Sequence, residues 1–187
     1  AQVRAIWWAL IYDFPLAYIN PPPTFTDQSQ RLRTPSDVIG GKRGTCIDLT
    51  LLLAACLEYV DIYPVVFLLQ DHAFPGYCRS EQSHDQLSAL FLSTTSGAGR
   101  IPPQRGGEQQ DPWVLPERRY GDLMRLVQQG HIVPIETVQL TQRAGFLPSI
   151  EEGLHNLRSR RQFQSLFDIK LAREAKVTPL PVWSGPA

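Results

Sequence analysis

Residues 44–77 read GTCIDLTLLLAACLEYVDIYPVVFLLQDHAFPGY, and the remainder of the chain is organised around them. A small-residue turn, Gly44-Thr45, leads into Cys46. An apolar helical run, Ile47 to Val60, is followed by a strand-like run, Ile62 to Leu69, rich in β-branched and aromatic residues. His72 then opens a second short run, His-Ala-Phe-Pro-Gly-Tyr, read as a strand over 71–78. Thr45 suits an N-cap, and Asp48 stands three residues on, where a capping box places its acid. Cys46 is then the first helical residue, beside unpaired backbone N–H groups and the positive end of the helix dipole. Both favour the thiolate, which is the reactive form of cysteine. Leu51, Leu52, Ala55 and Leu57 suit a helix buried on most sides.

A cysteine at a helix start and a histidine on a nearby strand are the two halves of a thiol nucleophile and its base. The plainer reading keeps Cys46 as a small buried apolar residue and His72 as a hydrogen-bonded core histidine. Spacing alone leaves both open.

The strings GTC-x-DL-x-LLLAA-x-LE and HAF-x-GY resemble the core of the transglutaminase-like superfamily of cysteine enzymes. That superfamily is similar to papain-type proteases in its site. The matching positions are Gly44, Thr45, Cys46, Asp48, Leu49, Ala54, Ala55, Leu57 and Glu58, then His72, Ala73, Phe74 and Gly76. Bacterial members resemble the chain further, in Gln30-Arg31-Leu32-Arg33-Thr34-Pro35-Ser36, in Glu136-Thr137, and in Asp168-Ile169 with Ala172-Arg173. The resemblance covers most of the chain apart from a loop near 80–115. It implies Cys46 as nucleophile, His72 as base, and an acidic residue on the next strand to orient the imidazole. The usual residue there is Asp, and here the matching position is Glu136. Asp85 and Asp111 are rivals that fall in polar, turn-like sequence.

The bulk properties narrow the classes. At 187 residues the chain suits one domain, 1–187, with a sizeable core. An apolar content of 43% with 19% charged residues fits a folded globular protein. Zero net charge gives no electrostatic reason to expect nucleic acid or an anionic membrane as partner. Three cysteines cannot complete a disulfide framework, so a reducing, cytoplasmic setting is expected, or delivery into a target cell for an effector domain. The chain starts at Ala1 and reads as a processed product or one module of a longer polypeptide. The apolar run 5–18, broken by Asp13 and Pro15, is too short for a membrane span.

Flanking elements follow from periodicity and punctuation. Val3, Ile6, Trp7 and Leu10 make a helix of 2–12, and Asn20-Pro21-Pro22-Pro23 makes a stiff connector. Thr34, Pro35 and Asp37 start a short helix that Gly40-Gly41 stops. The GGKRGT string lacks the spacing of a phosphate loop. Cys78, His84 and Asp85 lack standard zinc spacing, and the expected thiol acyl chemistry needs neither metal nor organic cofactor. Residues 93–112 read as a long loop, either a lid or a surface insertion. A helix is expected over 116–129, with Tyr120, Leu123, Leu126 and Val127 as its stripe. A strand follows over 131–137, its Pro134 marking an edge or a bulge. A helix of 147–158 buries Phe146, Ile150, Leu154 and Leu157, and Asp168 and Arg173 form a structural ion pair.

The expected fold is α+β: the transglutaminase-like, papain-like arrangement implied by the resemblance, a small mostly antiparallel sheet against the Cys46 helix. The expected function is amide-bond chemistry through a thioester on a protein or peptide substrate, by a peptidase, amide hydrolase or deamidase. The alternatives are transglutaminase-type acyl transfer in a bacterial toxin or effector, and a non-catalytic protein-binding module. The cysteine helix's N–H is one oxyanion donor and Gln30 a candidate for another.

Overall fold

The computed structural model describes residues 1–20, 32–95 and 111–179. The helices are Gln2–Asp13 (α1), Pro35–Gly41 (α2), Cys46–Tyr59 (α3), Glu81–Thr95 (α4), Tyr120–Gln128 (α5), Phe146–Asn156 (α6) and Ile169–Glu174 (α7). The strands are Ala17–Tyr18 (β1), Arg43–Gly44 (β2), Pro64–Leu69 (β3), Ala73–Cys78 (β4), Val114–Pro116 (β5), Ile132–Pro134 (β6) and Phe163–Asp168 (β7). Five of them form a sheet of order β5-β7-β3-β4-β6 in which every pairing is antiparallel. A separate two-stranded ladder pairs β1 and β2 in parallel. The class is therefore α+β with a small antiparallel sheet.

Strand side chains alternate between two faces, and the sheet divides the interior accordingly. Phe67, Leu69, Phe74, Cys78 and Phe163 join Leu87 and Phe91 of α4 and Leu123, Leu126 and Val127 of α5 in one core. On the other face Val133 and Ile135 join Val3, Trp7 and Leu10 of α1 and Leu49, Leu52, Leu53 and Leu57 of α3. Phe67 and Phe74 stack across the β3–β4 hairpin with centroids 5.1 Å apart. Removing each such phenylalanine from water contributes about 1.5–3 kcal/mol. Trp7 is wholly buried, and its indole N–H donates to the Ala144 carbonyl at 3.1 Å.

Both capping boxes read from the sequence are present, Thr34 with Asp37 and Thr45 with Asp48. The first short helix runs through Gly40 and Gly41, however, and its left-handed terminal residue is Lys42 (φ 51°). Pro134 sits on β6, the edge strand, where its missing N–H breaks no ladder. Gly76 meets a neighbouring backbone: a Cβ there would lie 2.7 Å from Phe67 Cε2 and 2.9 Å from the Val133 carbonyl oxygen.

Several expectations are corrected. Polar residues 81–95 are a helix, not a loop, because Ser83, His84, Leu87 and Phe91 recur at helical spacing and are buried. The Ser80 hydroxyl accepts from the Ser83 N–H at its start (3.2 Å). The remainder of the expected 93–112 loop, 96–110, lies outside the described residues, as does Gln30. The expected helix of 116–129 begins only at Tyr120, after β5 and a 3₁₀ turn, Glu117–Arg119. Residues 165–168, read as part of a short terminal element, belong instead to β7, an interior strand between β5 and β3. On α6, Leu154 is exposed, and Ser149 and Gly153 are the buried positions. Asp168 and Arg173 do not pair. Asp168 Oδ1 caps α7 by accepting from Leu171 N–H (3.0 Å), and Oδ2 lies 2.9 Å from His84 Nε2. Arg173 instead grips Glu58 of α3 with two hydrogen bonds, 2.7 and 3.0 Å.

Candidate functional site

The first turn of α3 is held from outside the helix as well as within it. Thr45 Oγ1 accepts from Asp48 N–H (3.4 Å), and Asp48 Oδ2 accepts from Thr45 N–H (3.0 Å). The same carboxylate, fully buried, accepts from the Arg33 backbone N–H and from Arg33 Nη1, both at 2.9 Å. Both oxygens of this buried charge thus face donors, which a buried charge requires. The Arg33 segment and the Cys46 turn are joined through it, so Cys46 is held at the helix N-terminus.

His72 lies in the tight turn between β3 and β4, one residue before the strand that the sequence reading placed it on. Its carbonyl accepts from Leu69 N–H at 2.8 Å, and its ring stacks on Phe74 with centroids 5.7 Å apart. Thr50, one helical turn after Cys46, ties this turn to the helix. Its hydroxyl lies 2.8 Å from the Cys46 carbonyl oxygen and 3.0 Å from that of Ala73. The helix bearing the thiol and the strand following the imidazole therefore share one bridging group.

Glu136 is not on a strand. It follows the end of β6 and caps the 3₁₀ helix Thr137–Gln142, accepting from Val138 N–H through Oε1 at 2.8 Å. Its Oε2 meets His72 Nε2 at 2.6 Å and accepts from Asn156 Nδ2 at 2.6 Å. Asn156 arrives because α6 packs directly on the β6 backbone. A Cβ at Gly153 would lie 2.9 Å from Pro134 C and 3.0 Å from Ile135 N. Nε2 is given to Glu136, so Nδ1 is the ring nitrogen left for the hydrogen bond with Cys46.

The electrostatics follow from these contacts. Burial alone would push the Cys46 thiol up. The hydrogen bond from His72, the Ala73 N–H, the imidazolium charge and the Ile47 N–H outweigh it, and the thiol is lowered from its ordinary value. Burial likewise opposes charge on His72, but hydrogen bonds to Cys46 and Glu136 and their negative charges raise it to about 10. Both shifts favour the charged forms, thiolate on Cys46 and imidazolium on His72. All three cysteines are free, and burial raises both Cys56 and Cys78. Cys46 alone of the three is lowered.

Tyr18 is the neighbour that sequence reasoning missed. β1 runs beside β2 with Tyr18 paired to Gly44, two residues before Cys46. Burial, and then the charges of Cys46 and Glu136, raise its phenol. The run Pro15-Leu-Ala-Tyr-Ile19 carried the strand signal, bounded by prolines. Nothing in the local pattern marks Thr50 or Asn156, whose roles depend on packing between distant elements.

Other features of the described surface do not join this group. A concavity of about 470 Å³ at the far end of α3 is lined by Glu58, Tyr63, Lys170 and Arg173, and its Glu58 is held by Arg173. Among the described residues no cluster of three or more His, Cys, Asp or Glu could hold a metal ion. Asp85 lies on α4 and Asp111 just before β5, and neither contacts His72. Among the described residues no helix is long and apolar enough to cross a membrane. No protein-family model, no curated protein and no solved structure matches the chain.

Proposed function

We propose that the chain is a cysteine-dependent amide hydrolase or peptidase of the transglutaminase-like, papain-like kind, with Cys46, His72 and Glu136 as its catalytic groups. One observation carries the reading: the single lowered thiol sits at a helix N-terminus, against a histidine whose other nitrogen is held by a buried carboxylate. The five-stranded antiparallel sheet flanked by the cysteine helix is compatible with that fold.

In the reaction, the Cys46 thiolate attacks the amide carbonyl carbon and its electron pair forms the C–S bond. The carbonyl π pair moves to oxygen, which faces the Cys46 N–H at the first helical position, a donor without an intrahelical acceptor. His72 passes its Nδ1 proton to the departing nitrogen, the C–N bond breaks, and a thioester remains. Neutral His72 then takes a proton from water, whose oxygen attacks the thioester. The C–S bond breaks to release a carboxylic acid and restore the ion pair. Glu136 fixes the ring and offsets the imidazolium charge throughout. A protein or peptide is the proposed substrate, and a reducing compartment suits a thiolate that must stay free.

The test is the iodoacetamide alkylation rate of each cysteine against pH, read by peptide mass spectrometry in the wild type and in His72→Ala. Cys46 is expected to react fastest, with a midpoint below the ~8.5 of a free thiol, and to lose that advantage without His72. A Cys46 no more reactive than Cys56 or Cys78 at neutral pH would sink the proposal and favour a binding module.

A further inference from the structure

The tetrahedral oxygen of such a reaction needs more than one donor, and the helix N-terminus offers only backbone. The parallel β1–β2 ladder brings a side chain to the same place. Ala17 N–H donates to Lys42 O at 2.9 Å and Ile19 N–H to Gly44 O at 3.0 Å. Tyr18 is therefore pinned on both sides and held in register with Gly44, immediately before the Thr45-Cys46 turn. β1 also borders the 3₁₀ helix Thr137–Gln142, which Glu136 caps. The residue thus stands between the thiol end and the carboxylate end of the site.

Tyr18 is 40% exposed, so it is open to a ligand. Among the described residues, no hydrogen bond occupies its hydroxyl. Burial, and then the negative charges of Cys46 and Glu136, disfavour the phenolate and keep the phenol protonated. A neutral phenol between two anions is a hydrogen-bond donor and is not a base.

Resting on the cysteine-hydrolase reading, we infer that the Tyr18 hydroxyl is a side-chain oxyanion donor, acting with the Cys46 backbone N–H on the substrate's carbonyl oxygen. No proton is transferred. The O–H donates while the carbonyl π pair resides on oxygen, and it relaxes when the pair returns and the leaving group departs. Tyr18 is accordingly a catalytic residue that touches the reacting oxygen, distinct from His72 and Glu136, which act on the proton and the thiolate.

Two probes separate this role from its rivals. Iodoacetamide is attacked at carbon with loss of iodide and develops no oxyanion. N-acetylglycinal adds reversibly to a thiol and places a tetrahedral oxygen where the intermediate's would lie. Protection of Cys46 from iodoacetamide by N-acetylglycinal is measured in wild type, Tyr18→Phe and Tyr12→Phe, the last a surface control 76% exposed. Tyr18→Phe is expected to keep the wild-type alkylation rate and pH midpoint. It should need at least about tenfold more aldehyde for half-protection, in line with the loss of one oxyanion donor. Tyr12→Phe should match wild type. Equal half-protection in Tyr18→Phe, or no protection of a fast-alkylating wild-type thiol, overturns the assignment and leaves the cysteine-hydrolase reading standing. A shifted alkylation midpoint in Tyr18→Phe overturns it in favour of a contact with the resting thiolate. A wild-type Cys46 that alkylates no faster than Cys56 overturns the parent reading, and this one with it.

Discussion

Asn156 donates its side-chain amide to Glu136 Oε2 at 2.6 Å, the same oxygen that meets His72 Nε2. An amide from α6 therefore fixes the carboxylate that fixes the imidazole, and the donor character of Asn156 is what the arrangement uses. Asn156→Asp replaces a donor by a carboxylate. At pH 4 the substituted side chain, once protonated, can still donate. At pH 7 two carboxylates face each other, and one must take up a proton or move away. The variant is expected to approach wild-type stability at pH 4 and to fall below it by on the order of 1–2 kcal/mol at pH 7, read from urea unfolding at both values. Equal deficits at the two pH values would count against the contact.

The ion pair predicts a stability profile with opposed slopes. His72 is raised from 6.5 to about 10, so its protonation stabilises the fold fully below pH 6.5, and that contribution is lost as pH rises to about 10. Cys46 is lowered from 9.0, so its contribution is present above pH 9 and lost as pH falls through the lowered value. The two partly cancel between 6.5 and 9, and the imidazolium loss acts unopposed above. Urea midpoints of the wild type are therefore expected to fall between pH 9 and about 10 relative to those of His72→Ala. A constant difference across that interval would show that the ring is not charged there.

Glu136 is longer than the Asp usual in the resembling family, and it lies past the end of β6. Glu136→Asp withdraws the carboxylate by one methylene from a 2.6 Å contact, while Glu136→Gln keeps the length and removes the charge. Both are expected to lower the His72 value and the neutral-pH alkylation rate of Cys46. The expected loss is about tenfold, roughly one pKa unit of the pair's stabilisation. NMR titration of the His72 ring in each variant measures it. An unchanged titration in Glu136→Gln would show that the carboxylate charge has no part in holding the proton.

Gly153 lets α6 lie on the edge strand. Gly153→Ala puts a methyl 2.9 Å from Pro134 C and 3.1 Å from Pro134 O, both backbone atoms with little room to give. The helix must shift outward, and Asn156 with it. A destabilisation of about 1–3 kcal/mol is expected despite the better helix propensity of alanine. Cys46 alkylation at neutral pH should slow in parallel. A stabilised variant would show that α6 can ride away from β6 freely.

Much of the site's local frame was legible in residues 44–77. Capping boxes, the α3 run and the β3 run depend on neighbours within a few positions, where side-chain and backbone hydrogen bonds compete locally. The strand β7 was not legible. Phe-Gln-Ser-Leu-Phe-Asp is short, polar in its middle and continuous with a helical run, and only pairing with β3 and β5 makes it an interior strand of the sheet. Helix α4 was hidden by its polar composition, which its buried stripe of Ser83, His84, Leu87 and Phe91 overrides. Arg173 was matched to the wrong acid, since Asp168 is near it in sequence and Glu58 near it in space.

The sequence by itself determined that Cys46 begins a capped helix and that His72 follows the next strand, because each rests on short-range propensity and spacing; the acid at 136 was singled out only by the resemblance to the transglutaminase-like pattern. Tertiary structure alone decided what these groups face. The sheet order, the bridge from Thr50 to Ala73 and the seating of α6 on β6 bring together residues 46, 72, 136 and 156. Proximity over such separations is a property of packing, and local pattern carries no record of it.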